Sequence, residues 1–178
     1  MAKFYSVGVG AGDGSYITLG ALRALEQADI IAVPVKKYEE KSTALEIIRK
    51  EFDTDKKEIS ELEFRMSGDT KIREESRRNS AEKIISALKD GKDVAMVTLG
   101  DVSVYSTCTY VHNAVKNAGF ELEIIPGITS FCAAADKAQI SLCEGNESVA
   151  IIPSLKSNLL EKYIADFIIT TAPACKTL

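Results

Sequence analysis

Little in this 178-residue chain points to a metal centre or to a charged polymer as partner. Histidine occurs once, at His112, and one histidine without companion ligands rarely makes a metal site. The cysteines Cys108, Cys132, Cys143 and Cys175 stand far apart with no Cys-x-x-Cys pair, which speaks against zinc and against a disulfide framework. No apolar run approaches the ~18 residues of a membrane-spanning helix. The opening residues, Met1-Ala2-Lys3-Phe4, run straight into a strand-like pattern without the apolar stretch of a signal peptide, so the expected compartment is the cytoplasm. Positive charge is not in excess. The formal net charge of −4 gives no general attraction to nucleic acid or to an anionic membrane, and an anionic ligand must be met by a local basic cluster. Internal repeats and low-complexity linkers are also missing.

What is present is an ordinary globular balance, 46% hydrophobic and 27% charged, enough for one domain or one and part of a second. Short apolar runs alternate with helical periodicity. Strands are expected over 3–10, 29–33 (stopped by Pro34), 57–64, 94–97, 122–125 and 148–152. Helices are expected over 18–28, with a Leu19, Leu22, Leu25 stripe, and over 42–52 and 69–89. Further helices are expected over 105–118, 128–137 and 155–165. This alternation implies an α/β fold with a largely parallel sheet. The segment Ser141–Glu147 is the expected domain boundary.

Ligands of such sheets bind at the carboxyl ends of the strands. Three loops there stand out: residues 8–14 (GVGAGDG), 99–107 (LGDVSVYST) and 126–130 (PGITS). The first is not a dinucleotide fingerprint. Counted from Gly8, the last glycine of G-x-G-x-x-G falls on Asp13, and counted from Gly10 it falls on Ser15. In the second, Asp101 can accept hydrogen bonds from a ribose or an amine, or it can cap the next helix. Thr129 and Ser130 carry the same two alternatives.

Together the segments GVGAGDGSYITLGALRAL, VAMVTLGDVSVYST and EIIPGITSFCAAA resemble, in order and spacing, the motifs of the tetrapyrrole (corrin/porphyrin) methylase family. The likeness covers roughly residues 3–153. Ala11 and Val102 stand where the family has proline, and proline fixes φ. The 62–66 segment (LEFRM), the YST and the ITSFCAAA run are similar to the branch that methylates C20 of precorrin-2 or cobalt-factor II in cobalamin synthesis.

The resemblance implies a methylase-like N-terminal α/β domain over 1–140 and the beginning of a second α/β domain over 141–178. It implies S-adenosylmethionine (SAM) as methyl donor and a tetrapyrrole as substrate, with a homodimer as the common assembly. By motif position, Ala11, Gly100, Asp101, Val104, Thr129 and Ser130 are expected at the cofactor, with Ser106 and Thr107 as secondary candidates. No catalytic residue and no metal ligand is named. Arg65, Arg73, Arg77 and Arg78 are candidates for the substrate's carboxylates, against the alternative of a solvated helix face. The competing expectation is a non-catalytic piece that binds SAM weakly or not at all.

Overall fold

The computed structural model describes residues 1–38, 41–153 and 167–171, the last as backbone. The chain divides into two compact units, Met1–Ser130 and Phe131–Leu178. The first is built on five parallel strands: β1 (Lys3–Gly8), β2 (Ile30–Val35), β3 (Glu58–Glu63), β4 (Val94–Thr98) and β5 (Glu121–Ile125). Their spatial order is β3-β2-β4-β1-β5. The helices are α1 (Leu19–Gln27), α2 (Thr43–Ile48), α3 (Thr70–Lys89) and α4 (Thr109–Asn117). In the second unit, strands β6 (Val149–Pro153) and β7 (Phe167–Thr171) pair in parallel, following helix α5 (Ser130–Ala138). The helix expected over 155–165 lies outside the described residues. β7 falls in a tail where no strand is expected from sequence.

Alternation along the strands sorts the first unit's core into two layers. Phe4, Ile30, Ala32, Leu62, Val94 and Met96 meet α3 and α4 on one face. Tyr5, Val7, Ile31, Val33, Ala95 and Val97 meet α1 and α2 on the other. Side-chain oxygens cap the starts of two of these helices, a hydroxyl in one case and a carboxylate in the other. Thr18 Oγ1 accepts from Ala21 N at 3.1 Å, and Asp69 Oδ1 accepts from Lys71 N at 2.8 Å.

Three expectations need correction. The inward stripe of α1 is Ala21, Ala24, Leu25 and Ala28, while Leu19 is 71% exposed. Six residues turn a helix by about 600°, which carries Leu19 well off the face of Leu25, whereas steps of three and four stay on it. Nor does Pro34 end β2, which pairs with β3 through Val35. Even-numbered residues of β2 face β4, but that ladder stops at Ala32, so the missing N–H of Pro34 breaks no bond. Finally, α4 begins at Thr109 rather than Tyr105, because Tyr105 adopts φ +49° and Ser106 turns inward.

Candidate functional site

The connection leaving β1 crosses toward β2, and that leaving β4 crosses back toward β5. Adjacent strands whose connections diverge in this way open a crevice at their carboxyl ends. The loops after β1, β4 and β5 meet there. Gly10 N donates to Gly100 O at 3.2 Å, and Gly100 N donates to Gly10 O at 2.7 Å, so the first two loops form a miniature antiparallel bridge. Gly10 and Gly100 both have positive φ, +78° and +72°.

The third loop is clamped onto this bridge. A Cβ on Gly8 would stand 2.7 Å from Gly127 N and 2.8 Å from Gly100 O, and a Cβ on Gly127 would collide with Gly100 O. Bare backbone is therefore a steric condition for the three loops to converge. Gly100 itself differs. Gly100 is buried, with its N–H and C=O both engaged by Gly10, yet a Cβ there would meet only Ile128 O, at 3.9 Å, an ordinary contact.

Asp101 locks the junction. Its Oδ2 accepts from Gly127 N at 2.8 Å, and its Oδ1 accepts from Ser103 N at 2.8 Å and from Ser103 Oγ. Burial by itself would raise this carboxyl. The hydrogen bonds from Ser103, Gly127 and Val102 outweigh burial and hold it below the usual carboxylate range. Asp101 is thus charged and engaged with protein donors. Neither of the sequence alternatives anticipates this tie between two loops, because the bond to Gly127 spans 26 positions.

Val102, in the family's proline position, is 1% exposed and packs in the α3/α4 layer, so a buried side chain anchors the loop there. Val104 is half-buried and Tyr105 is 59% exposed. Ser106 is buried: its Oγ donates to Thr98 Oγ1 at 3.0 Å and accepts from Cys108 N at 3.1 Å. Its partners lie in the protein body, whereas Thr107 is half-buried. Ala11 and Thr129 are half-buried and Ser130 is exposed. The structure thus brings Gly100, Asp101, Gly127 and the 8–11 turn into one junction, with Thr129 and Ser130 directly after it in the chain. Gly8 and Gly127, absent from the residues expected at the cofactor, are the steric centre. Their signal was the glycine at each strand exit.

Under the junction, on the α4 side, lies a row of small polar groups. His112 Nε2 and Ser6 Oγ are 2.9 Å apart, and Cys108 Sγ lies 3.7 Å from Met96 O. Burial, aided by Lys116, pushes the His112 imidazole below its usual value, and burial pushes the Cys108 thiol up, so both are neutral near pH 7. No cluster of three or more metal-ligating side chains occurs among the described residues, and no helix among them is long and apolar enough to cross a membrane. Of the four arginines, Arg73 hydrogen-bonds Ser67 O and Thr70 Oγ1, Arg77 lies over the Tyr110 ring at 3.5 Å, and Arg78 faces Glu82 at 3.8 Å. Arg65 stands just past β3.

The chain is 44% identical over 165 residues to a Methanocaldococcus jannaschii protein named "Probable cobalt-precorrin-2 C(20)-methyltransferase", covering 93% of this chain and 69% of that one. It is 32% identical to the cobalt-precorrin-2 C(20)-methyltransferase of Salmonella typhimurium, covering 84% of this chain and 62% of that one. A solved cobalamin-synthesis-related protein of Corynebacterium diphtheriae shares the fold with a TM-score of 0.75 at 19% identity, over 96% of this chain and 71% of that one. The family model of the Tetrapyrrole (Corrin/Porphyrin) Methylases matches residues 3–173, and the chain belongs to that family.

Proposed function

We propose that this chain is a SAM-dependent C-methyltransferase acting at C20 of precorrin-2 or of its cobalt-containing form, in cobalamin synthesis. The observation that carries the substrate assignment is the 44% identity, across nearly the whole chain, to a relative bearing that name. The junction fits the methyl donor. Gly100, Val104, Thr129 and Ser130 are assigned to hold it, with Ala11, Ser106 and Thr107 beside them, and Asp101 keeps their loops together from within the junction. When bound, SAM supplies a methyl group on a cationic sulfur.

The protein's own contribution is placement. Holding two reactants at near-attack distance can contribute about 7–11 kcal/mol. An electron-rich ring carbon needs no strong base before it attacks, which suits a junction whose carboxylate is fully engaged by backbone and serine. The role of Asp101 in this reading is to hold the 99–107 and 126–130 loops in register. A second domain beginning after residue 140, a homodimer and a cytoplasmic location accompany the proposal.

The test is twofold: calorimetric titration with S-adenosylhomocysteine, then transfer of labelled methyl from SAM to precorrin-2 or cobalt-factor II without oxygen. Micromolar binding and a labelled C20 product are expected. Binding without transfer would remove the C20 assignment. A folded chain that binds no S-adenosylhomocysteine would favour the non-catalytic alternative.

A further inference from the structure

A second recess opens at the same end of the sheet, over β2 and β3. It is shallow and open, about 440 Å³, and is lined by Lys36, Lys37, Glu63, Arg65, Met66 and Ile72 among others. Lys36, Lys37 and Arg65 line it beside Glu63, in a protein whose overall charge is negative. Lys36 and Lys37 directly follow β2, and Arg65 lies two residues past β3, so the parallel register brings them to one edge. Glu63 pairs with Arg65 through Nε at 3.0 Å and Ser76 Oγ accepts from Arg65 N at 2.9 Å, while the arginine side chain stays 58% exposed. The Glu63 contact uses Nε alone. Met66 and Ile72 add apolar surface, 51% and 37% exposed.

Resting on the reading of a tetrapyrrole as substrate, we propose that Lys36, Lys37 and Arg65 form the subsite that anchors the carboxylate arms of the macrocycle. Guanidinium and ammonium groups select carboxylates, and the thioether and butyl side chains suit the flank of an apolar ring. The spacing agrees. In strand order β4 is one step from β2 and two from β3, so the recess is roughly 5–10 Å across the sheet from the strand that leads to Gly100. That is the reach of a macrocycle with its arms. Three basic groups at one edge make the recess a reader of carboxylate number and position.

The probe is uroporphyrin, a stable porphyrin with eight carboxylates, titrated by fluorescence into the full chain, with coproporphyrin (four carboxylates) as comparison. S-adenosylhomocysteine binding is measured in parallel. The expected result is uroporphyrin binding that exceeds coproporphyrin binding and weakens about tenfold or more in Arg65→Gln and in the Lys36→Gln/Lys37→Gln pair. Its salt dependence falls in both variants, Arg65→Lys recovers part of the loss, and the affinity for S-adenosylhomocysteine stays within about twofold. Unchanged uroporphyrin affinity in both variants overturns the proposal, as does a wild-type chain that ignores the porphyrin. A parallel loss of S-adenosylhomocysteine binding also overturns it, since the recess would then serve the cofactor's own carboxylate. Porphyrin binding that the variants abolish, in a protein that transfers no methyl to precorrin-2, keeps the subsite and sinks the C20 assignment.

Discussion

At the scale of single residues, glycine does two different jobs within one junction, and substitution separates them. Gly127→Ala places a Cβ into Gly100 O and the Gly8 backbone, none of which can rotate away. It should cost about 3 kcal/mol or more in a urea titration, at the upper end of overpacking. Gly100→Ala meets only an ordinary contact but keeps a positive φ, so it should cost only about 1 kcal/mol of stability. If the cofactor lies against Gly100, the same methyl group should weaken S-adenosylhomocysteine binding at least tenfold. A Gly100→Ala protein with wild-type affinity would move the cofactor elsewhere. Tyr105 and the engagement of Asp101 escape sequence reasoning for a shared reason. A left-handed tyrosine and a carboxylate reaching across 26 positions are set by tertiary contacts, to which local propensity is blind.

Among the elements, β1, β2, β4 and β5 were legible because buried parallel strands are written as short apolar runs ending near glycine or proline, whereas the polar β3 showed only as an alternation and β7 was not read at all. The faces of helices were less legible. Alanine lines the inner side of α1, and the larger leucines on its flank mimic a stripe. The distinction is measurable. Leu25→Ala should lose about 2–5 kcal/mol and Leu19→Ala less than about 0.5, since Leu25 is fully buried and Leu19 is 71% exposed. Similar losses for both would show that the Leu19, Leu22, Leu25 face is the buried one. In α3 the buried positions include Ser76 and Ser80, whose hydroxyls donate to Glu63 O at 2.6 and 3.1 Å. A period count based on apolar residues passes over them, although they tie the helix to the strand end from which Arg65 projects.

For the whole molecule, acid is the weak direction. His112 has a depressed folded pKa, so its contribution is complete above the unfolded value of about 6.5 and is lost as pH falls below it. Asp101 is also depressed, so its contribution is complete above about pH 4 and is lost as its folded carboxyl takes up a proton. Urea midpoints should therefore decline in two stages, the first setting in below about pH 6.5 and the second below about pH 4. His112→Gln should flatten the first stage and Asp101→Asn the second; a variant that leaves its stage intact would show that another group drives it. The family and its substrate class were legible as three motifs in order, and their place at the strand ends pointed to one cleft; how closely they meet appears only when distant glycines are seen to fill one another's side-chain space. That mutual exclusion has a consequence for inheritance. Once one of Gly8 and Gly127 has been replaced and the loops have parted, replacing the second should add little, so the double variant falls well short of the sum of the singles. The crevice is then a single epistatic unit, open to change by whole-loop replacement and closed to stepwise drift.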